Sequence, residues 1–245
     1  MLAASGHGAY DHLLGGSGGG GSGKNSNSSS NAVLATSLEL YGGGPSSKKL
    51  FVLQQRAPAV PGRQRAFAEA AARAAKAGGA ARVLLLCGLD AAWRRERQID
   101  DAEAHPLRTV VAGGKGGEEA GTDPLARAAA EAASALPLEP GVEADEREAG
   151  GRLPPWTLLD ALAAEGVPAT LLCSFCSEGD NAPHGLALAA AALRTLAKAG
   201  SVEGGGGGAT TTKNAFDAAT ATPAQLSTPR SWVGLYGRAP VRALY

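Results

Sequence analysis

Cysteine is scarce, with only Cys87, Cys173 and Cys176 in 245 residues. An odd and sparse set excludes a disulfide framework and fits a reducing compartment. Charge of one sign is missing as well: Lys plus Arg and Asp plus Glu both number 23, so no global field favours nucleic acid or anionic lipid. Long apolar runs are absent. The longest, Leu186 to Leu193, is far short of the ~20 residues of a membrane span. Met1-Leu-Ala-Ala-Ser-Gly6 lacks a basic stretch followed by an apolar core, so no secretory signal is read. The expectation is a soluble intracellular protein with no nucleic-acid or membrane partner.

What is abundant is glycine, at 35 residues, and much of it lies in tracts such as Gly18 to Gly21 and Gly204 to Gly208. Residues 1–36 are a low-complexity segment with too little apolar surface to order itself. Residues 37–245 then form one α/β domain carrying a glycine-rich insert at 201–214 and a Trp/Tyr tail at 228–245. A fragment within the first segment, Gly8-Ala-Tyr-Asp-His-Leu-Leu14, is too short to assign.

Ser37 to Tyr41 alternates apolar and polar as a half-buried strand does, and Lys49 to Gln54 returns as its hairpin partner. Arg63 to Lys76 is an Ala-rich helix stopped by Gly78-Gly79. Arg82 to Cys87 is an apolar strand. Ala91 to Asp100 is charged around Trp93, and Leu107 to Val111 is a short strand. Asp123 ahead of Pro124 caps a helix running to about Leu136. Glu139 to Gly151 reads as an acidic connector, and Pro155 to Glu165 as a short helix closed by Gly166. Alternating strand and helix predict a mostly parallel sheet of four or more strands with helices on both faces and an antiparallel hairpin near its start.

The chain is organised around Ala169 to Leu188. Ala169 to Phe175 is apolar enough for a strand buried on both faces. Ser177-Glu-Gly-Asp-Asn181 is a polar loop, and Pro183 opens a helix that runs to about Lys198 and stops at Gly200. Loops between buried strands and helix N-termini often carry function. Glu178, Asp180 and His184 beside Ser177 could imitate an acid/base group with a nucleophile, but the G-x-S-x-G elbow of a hydrolase is absent. A structural role is expected instead: Asp180 or Asn181 accepts the first helical N–H groups, and Gly179 makes the turn. The two carboxylates would also repel an anion from the helix start. Cys173 and Cys176 have C-x-x-C spacing, yet residues three apart on a strand face opposite sides, so buried cysteine is expected rather than a redox pair. One such pair does not supply a four-ligand zinc site, and no metal is expected. Trp93 with Arg94, Arg95 and Arg97 has the makings of a stacking patch. Glu96, Asp100 and Asp101 cancel its field, so a solvated face with Trp93 on the core is expected.

Two motifs carry a resemblance. Phe175-Cys-Ser-Glu-Gly-Asp-Asn-Ala-Pro183 resembles the F-x-S-E-G-D-N-x-P signature of the proteasome assembly chaperone 2 family. Thr228-Pro-Arg-Ser-Trp-Val-Gly-Leu-Tyr-Gly-Arg-Ala-Pro-Val-Arg-Ala-Leu-Tyr245, with Trp232, Tyr236, Gly237, Leu244 and Tyr245, is similar to that family's carboxyl end. The resemblance implies a three-layer, nucleoside-phosphorylase-like sandwich without enzymatic activity, cofactor or catalytic residues. It further implies a heterodimer with a proteasome assembly chaperone 1 homologue that binds proteasome α-subunits, promotes α-ring formation and prevents off-pathway ring pairing, in cytoplasm and nucleus. Ser177, Glu178, Gly179, Asp180 and Asn181 are then a partner-binding or structural signature loop. The alternative is a nucleoside-handling enzyme on the same fold. Family members begin with a further strand and helix, so the chain is expected to lack these elements and to aggregate alone through the exposed edge. Its terminal Leu244-Tyr245 also departs from the hydrophobic-Tyr-any ending used for docking in that system.

Overall fold

The computed structural model describes residues 37–43, 50–95, 107–112, 122–148, 155–200 and 217–228. The low-complexity segment 1–36, the insert 201–214 and the tail beyond Thr228 lie outside them. Six strands and five α-helices are placed there: β1 (Leu38–Gly43), β2 (Leu50–Gln55), α1 (Gln64–Ala77), β3 (Val83–Asp90), β4 (Leu107–Val111), α2 (Pro124–Ala133), β5 (Leu136–Pro137), α3 (Pro140–Glu148), α4 (Pro155–Ala164), β6 (Ala169–Cys176) and α5 (Ala182–Lys198).

β3, β6, β4 and β5 form one sheet in that spatial order. β6 runs parallel to β3, with Leu85 beside Leu171, and antiparallel to β4, with Val110 beside Leu171. β4 and β5 are parallel. The sheet is therefore mixed, which corrects the expectation of a mostly parallel one. An apolar run such as Leu107–Val111 has no direction written in it. Direction is decided by how the chain returns from β3, and residues 96–106 of that return lie outside the description. The hairpin is also separate: β1 and β2 make their own two-stranded sheet, with Leu40 beside Leu53. Val52, Leu53, Gln54 and Gln55 are all exposed, so this ribbon stands apart from the buried sheet.

β6 is buried along seven of its eight residues and divides the core by the period-2 alternation of a strand. Leu171, Cys173 and Phe175 join a cluster with Ala72 and Ala75 of α1, Val142 of α3, and Trp156, Leu159 and Leu162 of α4. Leu172 joins a second cluster with Leu107, Ala129 and Ala133 of α2, and Ala191 and Ala192 of α5. The helix side of the second cluster is nearly all alanine, so these helices pack close to β6 with little side chain between.

Two elements run against the sequence reading. The helix from Pro124 stops at Ala133 because Ser134 takes a left-handed conformation (φ 54°), freeing Leu136–Pro137 to pair with β4. The acidic connector after Glu139 is largely helix α3. Val142, fully buried, ties it to the core. Arg147 fastens it to α4 through Asp160 (2.8 and 3.1 Å), through Glu143 on its own helix (2.9 Å), and by lying over the Trp156 ring at 5.2 Å. Hydrogen bonds to Asp160 and Glu143 raise the Arg147 pKa above its already high value.

Candidate functional site

The loop that joins β6 to α5 leaves the carboxyl end of the central strand, past half-buried Cys176. Ser177, Glu178, Gly179 and Asp180 are all exposed. Gly179 has φ +123° with open space around it, a conformation that only glycine adopts cheaply. Asp180 Oδ1 accepts the Ala182 N–H at 3.0 Å. Asn181 occupies the N-cap position by its backbone, but its side chain makes no cap bond. Its Nδ2 instead donates back to the Ser177 carbonyl at 2.9 Å, while its own carbonyl accepts from Gly185 N–H at 2.9 Å. Of the two capping candidates, Asp180 therefore takes the helix N–H and Asn181 closes the loop. The result is a short polar knuckle held by its own side chains. His184 lies in the first turn of α5, partly buried.

The remaining candidates resolve as follows. Cys173 is buried within the first cluster, with Sγ donating to the Arg108 carbonyl at 3.4 Å, and Cys176 is only half-buried at the strand end. The two C-x-x-C sulfurs belong to different faces of β6. Trp93 ends a single 3-10 turn, Ala91–Trp93, begun by Asp90, whose Oδ1 accepts Ala92 N–H at 2.9 Å; its ring packs against the first cluster. Arg94 lies over the Phe175 ring at 5.9 Å, and Arg95 pairs with Asp145 of α3. These two guanidiniums are turned to their own fold; Arg97 lies outside the described residues, as do Trp232, Tyr236, Gly237, Leu244 and Tyr245. Among the described residues no group of three His, Cys, Asp or Glu side chains gathers, and no helix is long and apolar enough to cross a membrane.

Sequence reasoning missed the contacts that hold this region in place. Asp123 caps α2 by accepting from Leu125 and Ala126 N–H (both 2.9 Å), but the same oxygen also takes the hydroxyl of fully buried Thr170 in β6 at 2.7 Å. Arg194 of α5 donates to the carbonyls of Ala132 (2.9 Å) and Ala221 (2.6 Å), tying α5 to α2 and to the segment 217–228. The Asp-Pro dipeptide signalled the cap; nothing local could signal Thr170, 47 residues away. An open groove of about 450 Å³ lies elsewhere, between the start of the hairpin and α1, lined by Leu38, Gln55, Val60, Arg63 and Phe67.

Burial, with a smaller contribution from Cys87, holds the Cys176 thiol above the ordinary thiol range. Because the thiolate is the reactive form, alkylation of Cys176 in the folded protein is expected to lag behind that of a free thiol near pH 8 and to catch up only at higher pH. The protonated thiol favours folding below the unfolded thiol pKa, about 8.5, and that contribution is lost as pH rises through the higher folded value. Mass spectrometry of iodoacetamide-labelled peptides at stepped pH reads the lag; equal rates for folded and urea-unfolded Cys176 at pH 8 would contradict it.

No protein-family model matches the chain, and no curated protein matches it.

Proposed function

We propose that the chain is a non-enzymatic chaperone of 20S proteasome assembly, acting as a heterodimer with a chaperone 1 homologue to promote α-ring formation and prevent off-pathway ring pairing, in cytoplasm and nucleus. The observation that carries this reading is the Phe175 to Pro183 signature, which stands at the exposed end of the central strand. There it projects Ser177, Glu178 and Asp180 outward, with Asp180 and Asn181 engaged in shaping the loop. A projecting loop whose polar groups hold its own shape suits recognition of another protein's surface. The two core clusters on opposite sides of β6 fit the three-layer sandwich that the resemblance implies, which is part of this proposal.

Co-expression of the tagged full chain with a chaperone 1 homologue and proteasome α-subunits tests it. Recovery of both is expected. Failure to recover either with folded protein, or turnover of a nucleoside that Glu178→Gln or Asp180→Asn abolishes, would overturn the reading.

The loop itself is expected to be structural first. Asp180→Ala should cost about 1 kcal/mol through the lost bond to Ala182 N–H. Gly179→Val should cost about 1–3 kcal/mol, because a β-branched residue is strained at positive φ however much room surrounds it. Both are read by urea unfolding. An unchanged Tm for Gly179→Val together with lost partner binding would make the loop an interface before a structural element.

A further inference from the structure

Residues 217–228 lie against α5 as two single 3-10 turns, Ala218–Thr220 and Pro223–Gln225. Between the turns Thr222 is extended (φ −119°, ψ 155°), the backbone that a following proline favours, and both Thr222 and Pro223 are exposed. The strap is lightly held. Of its side chains only those of Ala218 and Ala221 are buried, and both are small. Its polar tie to α5 is Arg194, whose Nη1 donates to the Ala221 carbonyl at 2.6 Å while Nε donates to the Ala132 carbonyl of α2 at 2.9 Å. Both acceptors are neutral. Among the described residues no carboxylate pairs with this part-buried guanidinium. Glu131, beside Ala132, is taken by Lys198 at 3.0 Å. Asp217 is taken by its own turn, through Ala219 N–H at 2.9 Å and the Thr220 hydroxyl at 3.3 Å. The Ala221 carbonyl that meets Arg194 belongs to the peptide bond leading into Thr222. An exposed hydroxyl ahead of a proline thus stands one peptide unit from a cation without a counter-charge.

We propose that Thr222 is a phosphorylation site for a proline-directed protein kinase, and that Arg194 receives the phosphate. A kinase needs its acceptor hydroxyl presented on extended chain. Thr222 has that backbone already, and a segment anchored by two alanines lifts from the domain at little cost. Thr222 Oγ1 attacks the γ-phosphorus of ATP held by the kinase. The new O–P bond forms as the bond to the β,γ-bridging oxygen breaks. ADP leaves with that oxygen, and the hydroxyl proton passes to the kinase's catalytic aspartate. The modification gives up the contact of Thr222 Oγ1 with Gln225 Oε1 (3.1 Å). In exchange it sets a dianion beside a guanidinium. Charge-assisted bonds from arginine to phosphate are roughly twice as strong as neutral ones. The strap is therefore held more tightly to α5 once phosphorylated. This proposal does not rest on the assembly-chaperone reading.

The test treats the purified full chain with magnesium-ATP and a proline-directed kinase, then maps the phosphate by peptide mass spectrometry. A phosphate on Thr222 is expected, and Thr222→Ala or Pro223→Ala should lose it. Thr228, also followed by a proline, is the competing acceptor. Phosphorus NMR reads the contact with Arg194. The Thr222 phosphate should titrate at lower pH than the same phosphate on a synthetic peptide of residues 217–228, because the guanidinium favours the dianion. Arg194→Gln should remove that shift, and Arg194→Lys should keep part of it. Hydrogen exchange of the 217–228 amides should slow severalfold on phosphorylation of the unaltered chain. No incorporation, a phosphate on Thr228 with none on Thr222, or a titration like the peptide's would each overturn the proposal. So would an equal shift in Arg194→Gln, or amide exchange that is unchanged or faster.

Discussion

Leu171→Ala is expected to remove about 2–5 kcal/mol of unfolding free energy, the range for deleting three carbons from a packed interior site. Leu171 is fully buried at the centre of β6, paired with Leu85 on one side and Val110 on the other, and belongs to the cluster that Trp156, Leu159 and Leu162 fill from α4. Collapse of the surroundings cannot easily fill the gap, because its strand neighbours are held by ladder hydrogen bonds on both sides. Against a total stability of roughly 5–15 kcal/mol for a domain, such a loss leaves little margin. Leu171→Met, which keeps the volume, should cost less than about 1.5 kcal/mol. Urea unfolding monitored by circular dichroism measures both. Equal, small losses for the two variants would mean that β6 is not packed as described.

Asp123→Ala should be the next most damaging change, at about 2–4 kcal/mol. One carboxylate oxygen accepts three hydrogen bonds, from Leu125 N–H, Ala126 N–H and Thr170 Oγ1. Loss of the helix cap accounts for about 1 kcal/mol. Thr170 is fully buried, and stranding its hydroxyl adds about 1–3 kcal/mol. The Arg82 contact at 3.3 Å is exposed on the arginine side and contributes little. Asp123→Asn separates these terms, since an amide oxygen still caps and still accepts from Thr170, so it should lose much less than alanine does. The double variant Asp123→Ala with Thr170→Val should recover part of the loss, because the unpaired hydroxyl is gone. If the double variant is no more stable than Asp123→Ala, the Thr170 bond is not a contributor.

Several elements were legible in the residues themselves. Gly78-Gly79, Gly166 and Gly200 end helices, and Gly79, Gly166 and Gly200 take the positive φ that such stops use. Asp123-Pro124 and Ala182-Pro183 open them. Ala169–Cys176 is a strand buried on both faces, as a continuous apolar run requires. The loop Ser177 to Asn181 was recognisable as polar and turning, since its residue types permit little else. All of these are local facts: a glycine's freedom, a proline's missing N–H and a strand's alternation act within a few residues.

Only the tertiary structure decided the rest. The antiparallel setting of β4 against β6, the brief β5 and the separateness of the hairpin depend on where the chain returns, and neighbouring side chains do not encode that. α3 has the composition of a connector and is a helix because Val142 and Arg147 find α4 and the core beside them. β3 reads in sequence as an apolar strand, yet among the described residues it stands at the edge of the sheet with Leu86 exposed. Apolarity states how much burial a strand seeks; which neighbours supply it is settled only when the sheet is assembled.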